Sequence, residues 1–127
     1  MSDKSFVTTI NCMDGRVQIS VNNYLTSKYG ADFVDTITEP GPNGIIANNI
    51  DLAIIENIKK RVDISVNHHG SKAIAIVGHY DCAGNPVNDN IQIDHIKKSI
   101  DFVNSWGFKV EVIGIWIDKN WIIQEII

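Results

Sequence analysis

Short runs dominated by apolar and β-branched residues recur along the chain, separated by stripes of apolar residues at helical spacing. Ser5-Phe6-Val7-Thr8-Thr9-Ile10, Phe33-Val34-Asp35-Thr36-Ile37-Thr38, Ala73-Ile74-Ala75-Ile76-Val77 and the segment from Lys109 to Ile117 are short and rich in β-branched residues. Each is bounded by turn formers or a change of period, which predicts four strands. Between the first two, Val17, Val21, Tyr24, Leu25 and Lys28 recur at helical spacing, and Gly30 marks the helix end. A long helical pattern runs from Ile45 to about Val62, with Ile46, Ile50, Ala53, Ile54, Asn57, Ile58 and Arg61 on or near one stripe. A further helix is expected from about Ile91 to Trp106, with Ile96, Ile100, Val103 and Trp106 turned inward. Glu39-Pro40-Gly41-Pro42-Asn43-Gly44 reads as a turn cluster outside any helix or strand, and Asp63 to Ser71 as irregular chain.

Strands that alternate with helices imply one α/β domain over 1–127, a three-layer α/β/α arrangement around a four-stranded parallel sheet with right-handed crossovers. The tail, Trp121-Ile122-Ile123-Gln124-Glu125-Ile126-Ile127, carries five large apolar side chains, too many to leave in water. It is expected to form an antiparallel edge strand on its own domain, a dimer contact, or both.

Composition narrows the functional classes. With 127 residues the chain is long enough for a true core, and 44% apolar with 20% charged residues is ordinary for a globular protein. A formal charge of −4 and no basic cluster beyond Lys59-Lys60-Arg61 and Lys97-Lys98 argue against a nucleic-acid binder. No apolar run approaches the roughly 20 residues of a membrane span, and Met1-Ser2-Asp3-Lys4 has no apolar signal core. A cytoplasmic location is expected. There, two cysteines point to metal binding or catalysis rather than to a disulfide.

The cysteines occupy equivalent places. Cys12 follows the first strand in Cys12-Met13-Asp14-Gly15-Arg16, and Cys82 follows the third in Gly78-His79-Tyr80-Asp81-Cys82-Ala83-Gly84. His79 precedes Cys82 by three residues, a spacing at which both side chains can face one point. If the first and third strands are neighbours, Cys12, His79 and Cys82 converge as a Cys2His set for Zn2+, with a fourth position free for water or a carboxylate. That adjacency forces the strand order 2-1-3-4, and its reversal lies between strands one and three, where open parallel sheets bind ligands. Asp14 can either ligate the metal as a fourth ligand or accept a hydrogen bond from metal-bound water. A bidentate pair with Arg16 would hold it off the metal.

Other groups attract weaker readings. His68-His69 is expected to be an exposed turn, with a proton shuttle as the alternative, and His95 a surface residue. Tyr80 and Met13 either line a small apolar pocket or fill the core. Glu39 would add negative charge near a site that handles anions.

The Cys-x-Asp-x-Arg run after the first strand and Gly-His-x-x-Cys after a later one resemble the zinc motifs of the β-class carbonic anhydrases. The resemblance implies Cys12, His79 and Cys82 as zinc ligands and Asp14 with Arg16 as a catalytic dyad. It implies reversible hydration of carbon dioxide to bicarbonate by zinc-bound hydroxide, and a homodimer or higher homo-oligomer with active sites near the interface. The chain departs from the pattern where Thr38 to Gly44 replaces the family's Arg-Asn-Ala-Gly run, and where Ala83 separates Cys82 from Gly84. Two other functions compete: a zinc-stabilised binding or assembly domain without turnover, and hydrolysis of carbonyl sulfide or carbon disulfide. Redox exchange between Cys12 and Cys82 is disfavoured by the lack of a Cys-x-x-Cys motif.

Overall fold

The computed structural model describes residues 4–126. Five strands, β1 (Phe6–Cys12), β2 (Phe33–Glu39), β3 (Ala73–His79), β4 (Glu111–Ile117) and β5 (Ile123–Ile126), form one sheet in the order 2-1-3-4-5. The first four pair in parallel, and β5 returns antiparallel on β4. The four-stranded parallel core with the expected order is therefore present, and the tail supplies its edge strand. Ile127 lies outside the described residues.

Helices cover both faces, as strands without polar alternation require. α1 (Gln18–Tyr29), entered through a 3-10 turn at Gly15–Val17, seats Val17, Val21 and Leu25 on Val7, Ala75, Val77 and Ile115. The opposite face packs Ile10, Ile37, Ile74 and Ile76 against Ile46, Ile58, Val62 and Val103. These last residues come from α2 (Pro42–Asn48), α3 (Leu52–Asp63) and α4 (Asp89–Ser105).

Several sequence expectations are corrected here. The turn cluster does not stand outside the elements. Glu39 ends β2, and Pro42 opens α2, since a first-turn proline has no hydrogen bond to lose. The long helix is two helices. The chain breaks at Asn49, which adopts a left-handed conformation (φ 52°), and Asp51 restarts it by accepting a hydrogen bond from the Ile54 N–H at 3.2 Å. The break carries Ile50 off the apolar stripe and leaves it 83% exposed. Asp63 to Ser71 is not irregular throughout, because a π-helical turn spans Ile64–His68. Among the described residues, no helix is long and apolar enough to cross a membrane.

The sheet creates the site by splaying. β1 and β3 pair from Thr8 with Ile74 to Ile10 with Ile76, and no further. Beyond that point each strand stays with its outer neighbour, so Cys12 lies opposite Glu39 and His79 opposite Ile117. Cys12 and His79 are thus the last residues of their strands rather than residues beyond them. A crevice opens at the carboxyl ends, at the switch point of the order.

Candidate metal centre

Three loops close the crevice. Buried Asn11 accepts the Cys12 N–H on its side-chain oxygen at 2.8 Å and donates Nδ2 to the Val17 carbonyl at 3.0 Å. Gln18 Nε2 donates to the Cys12 carbonyl at 2.6 Å. Cys12 is therefore fixed through its backbone on both sides. From β2, the Pro40-Gly41 turn packs against the Gly84-Asn85 turn that follows Cys82. A side chain on Gly41 would stand 2.7 Å from the Asn85 Cβ, and one on Gly84 would collide with Pro40.

Within this frame the sulfurs of Cys12 and Cys82 are 3.8 Å apart, and these two atoms and a ring nitrogen of His79 all lie within 4.8 Å of one another. All three residues are buried. His79 Nδ1 donates to the Tyr80 carbonyl at 2.8 Å, which leaves the Nε2 lone pair facing inward. That nitrogen is buried and has no hydrogen-bond partner in the protein. A buried orphan of this kind needs an explanation, and a cation supplies one. The donor set is what zinc prefers. Two sulfurs held about 2.3 Å from one ion at a tetrahedral angle stand about 3.8 Å apart, matching the separation here.

The charges agree. The Cys82 thiol donates to the Cys12 sulfur, which lowers the pKa of Cys12 and raises that of Cys82; one thiolate is already favoured. Burial pulls the His79 pKa down, but the neighbouring Cys12 sulfur, the Tyr80 carbonyl and Asp14 outweigh it, and the net shift is upward. The site thus attracts positive charge.

Asp14 is not part of the ligand group. Arg16 holds it, with Nε 3.0 Å from Oδ1 and Nη2 2.7 Å from Oδ2, and keeps its pKa down at about 2. Arg16 also reaches across the crevice to the Asp81 carbonyl (3.1 Å) and carboxylate (3.3 Å), and stacks over Trp121 at 4.7 Å. One guanidinium therefore ties together the loop after β1, the loop after β3 and the β4–β5 connection. An open cleft of about 940 Å3, lined by Arg16, Tyr80, Asp81, Pro86 and Asn88, reaches down to Cys82.

These residues match a family over nearly the whole chain: residues 2–127 fit the family model described as "Putative carbonic anhydrase". The chain belongs to this carbonic anhydrase family. Solved β-carbonic anhydrases share the fold. The Streptococcus mutans carbonic anhydrase aligns over 95% of this chain and 81% of its own at 16% identity, with a TM-score of 0.66. A tetrameric β-carbonic anhydrase of Sordaria macrospora aligns over 98% and 82% at 16% identity, with a TM-score of 0.67. The Trichomonas vaginalis β-carbonic anhydrase isoform I aligns over 94% and 81% at 18% identity, with a TM-score of 0.61. No curated protein matches the sequence. This carbonic anhydrase-like chain is thus a divergent member that shares the fold and carries a Cys-His-Cys group that could hold a metal ion.

The remaining candidates fall elsewhere. Glu39 is not an uncompensated charge, because Arg61 pairs with it. His69 sits at the opposite, amino end of the sheet, stacked on Phe6 and bonded to Asp35, so it does not border the crevice. Met13 and Tyr80 are exposed rather than core. His95 is not a surface residue: it is buried, and its Nδ1 lies 3.0 Å from Asn85 Nδ2. Sequence reasoning missed Asn11, Gln18, Asp81 and Trp121. For Asn11, the one available signal was an amide side chain directly before Cys12, between two apolar residues.

Proposed function

We propose that the chain is a zinc lyase that interconverts carbon dioxide and bicarbonate, with Cys12, His79 and Cys82 as metal ligands. The observation that carries this reading is the buried, unpartnered Nε2 of His79 facing two sulfurs at tetrahedral spacing. A bound zinc ion would supply Lewis-acid activation of a water molecule, less strongly beside two thiolates than beside three imidazoles. The chain's own residues do the rest. Arg16 keeps the Asp14 carboxylate ionised and off the metal position. Asp14 then accepts a hydrogen bond from the reacting water and turns a lone pair of its oxygen toward the substrate carbon, while Arg16 keeps the carboxylate too weak a base to take the proton itself. The apolar walls below the crevice, Val77, Val17 and Ile117, exclude bulk water. The cleft above admits a small linear molecule.

Stopped-flow hydration of carbon dioxide by zinc-loaded protein tests this reading. A rate above buffer that falls by about 100-fold in Asp14→Asn supports it. A wild-type rate equal to buffer, at any pH where the protein is folded, refutes it. Turnover of carbonyl sulfide or carbon disulfide alone would move the assignment to a hydrolase. We also place the protein in the cytoplasm as a homodimer or larger assembly. Two free cysteines suit a reducing compartment, and Met13, Ile19 and Ile122 leave apolar surface near the crevice for a second copy.

A further inference from the structure

Helix α4 buries three polar side chains, Gln92, His95 and Ser99, on the side that also carries Ile96 and Val103. Polar groups placed there need partners, and each one has a partner leading toward the metal centre. Ser99 Oγ donates to the Asn43 carbonyl at 3.0 Å, and Asn43 Nδ2 donates to Gln92 Oε1 at 2.8 Å. Gln92 Nε2 donates to the Asn85 carbonyl at 2.8 Å. Asn85 Nδ2 donates to His95 Nδ1 at 3.0 Å.

Asn85 is where these bonds meet the metal loop. It lies three residues after Cys82 and immediately before Pro86, which restricts its backbone to extended conformations. Its side chain wedges against Gly41 and Gly44, so any reorientation of the amide drives it into the α2 entry. An imidazole that accepts at Nδ1 must be neutral and carry its proton on Nε2. Burial lowers the pKa of His95, Asp94 and Lys98 acting on it in opposite directions, and the neutral form is favoured.

We infer that His95 is a positioning residue: by accepting the Asn85 side-chain N–H, it locks the turn after Cys82 and fixes that sulfur at its place in the metal site. The inference rests on the zinc reading above. It concerns a helix residue that touches none of the three ligands. Replacing His95 by leucine leaves a buried N–H without an acceptor and frees the turn, whereas asparagine offers an oxygen where Nδ1 was.

Zinc affinity, measured by competition with a chromophoric chelator, and the absorption spectrum of the cobalt-loaded protein test the inference. His95→Leu should bind zinc about 10- to 100-fold more weakly than wild type, as losses of supporting hydrogen bonds around metal sites do. Its sulfur-to-cobalt band should change even at saturation, which a merely structural role would not cause. His95→Asn should return the affinity to within a few-fold of wild type. A folded His95→Leu with wild-type affinity and spectrum overturns the inference, as does a His95→Asn no better than leucine. If His95→Leu does not fold, wild-type protein decides: two-bond 15N correlations should show the Nε2–H tautomer of His95, and the Nδ1–H tautomer overturns the inference. Wild-type protein that binds no zinc refutes the zinc reading itself, a result distinct from normal binding in both His95 variants.

Discussion

Substituting Gly41 by alanine tests how tightly the loops must close around Cys12. Gly41 has φ 61°, a conformation that costs an ordinary L-residue about 1–2 kcal/mol. Its new Cβ would also stand 2.7 Å from the Asn85 Cβ and 2.8 Å from the Asn85 peptide nitrogen, inside the hard-sphere limit. Neither is the free end of a flexible side chain, because Asn85 is held by Gln92 and His95. Overpacking of this kind adds about 1–3 kcal/mol. Gly30 provides the control. It has the same φ of 61°, but a Cβ there would meet nothing within 4 Å. In urea unfolding followed by far-ultraviolet circular dichroism, Gly30→Ala should cost about 1–2 kcal/mol and Gly41→Ala about 2–5 kcal/mol. The slope should stay unchanged in both. The excess at Gly41 should persist in chelator, because it is steric and not metal-linked. Equal losses at the two positions would refute the claim that the Gly41 and Asn85 turns are in hard contact.

Three further outcomes follow from particular contacts. Asp51→Ala removes the side-chain cap of α3 and should destabilise the protein by about 1 kcal/mol in the same assay, with little effect on zinc content. Cys82→Ser should lower both zinc content and melting temperature. At free zinc 100-fold above its dissociation constant, the bound metal contributes about 2.7 kcal/mol to wild-type stability. Asp118 accepts the Ile122 and Asn120 N–H groups at 3.1 and 2.9 Å, and these bonds lower its pKa. A depressed folded-state pKa means that its contribution is present above the ordinary carboxylate range and is lost as pH falls through the lowered value. Amide exchange of Ile122 should therefore accelerate at acid pH beyond the intrinsic trend, and Asp118→Asn should abolish that extra acceleration.

The sheet was legible because its parallel strands announce themselves as short β-branched runs, and the central pair, β1 and β3, is buried almost throughout. Two ligand motifs then required β1 and β3 to be neighbours, which set the order 2-1-3-4. The helix break at Asn49–Asp51 was hidden because apolar spacing continues through it. The signal that marks it is Asp51, a capping residue three positions before Ile54. His95 was misread for a related reason. Gln92, His95 and Ser99 share the inward side of α4 with Ile96 and Val103, and polarity alone assigns such residues to solvent. Only their partners in α2 and in the turn after Cys82 show why they are buried. The spacing of Asp14 and Arg16 allows a pair while leaving direct metal ligation by Asp14 open, and the structure shows the pair. The grip of Arg16 on Asp81 and its seat over Trp121 depend on loops that no periodicity predicts.

Zinc K-edge absorption spectroscopy combined with elemental analysis, on protein purified without chelator, tests the metal centre most directly. The account predicts one zinc per chain with two sulfur neighbours and at least one imidazole nitrogen. No zinc above background, or a bound metal without sulfur in its coordination, would contradict it.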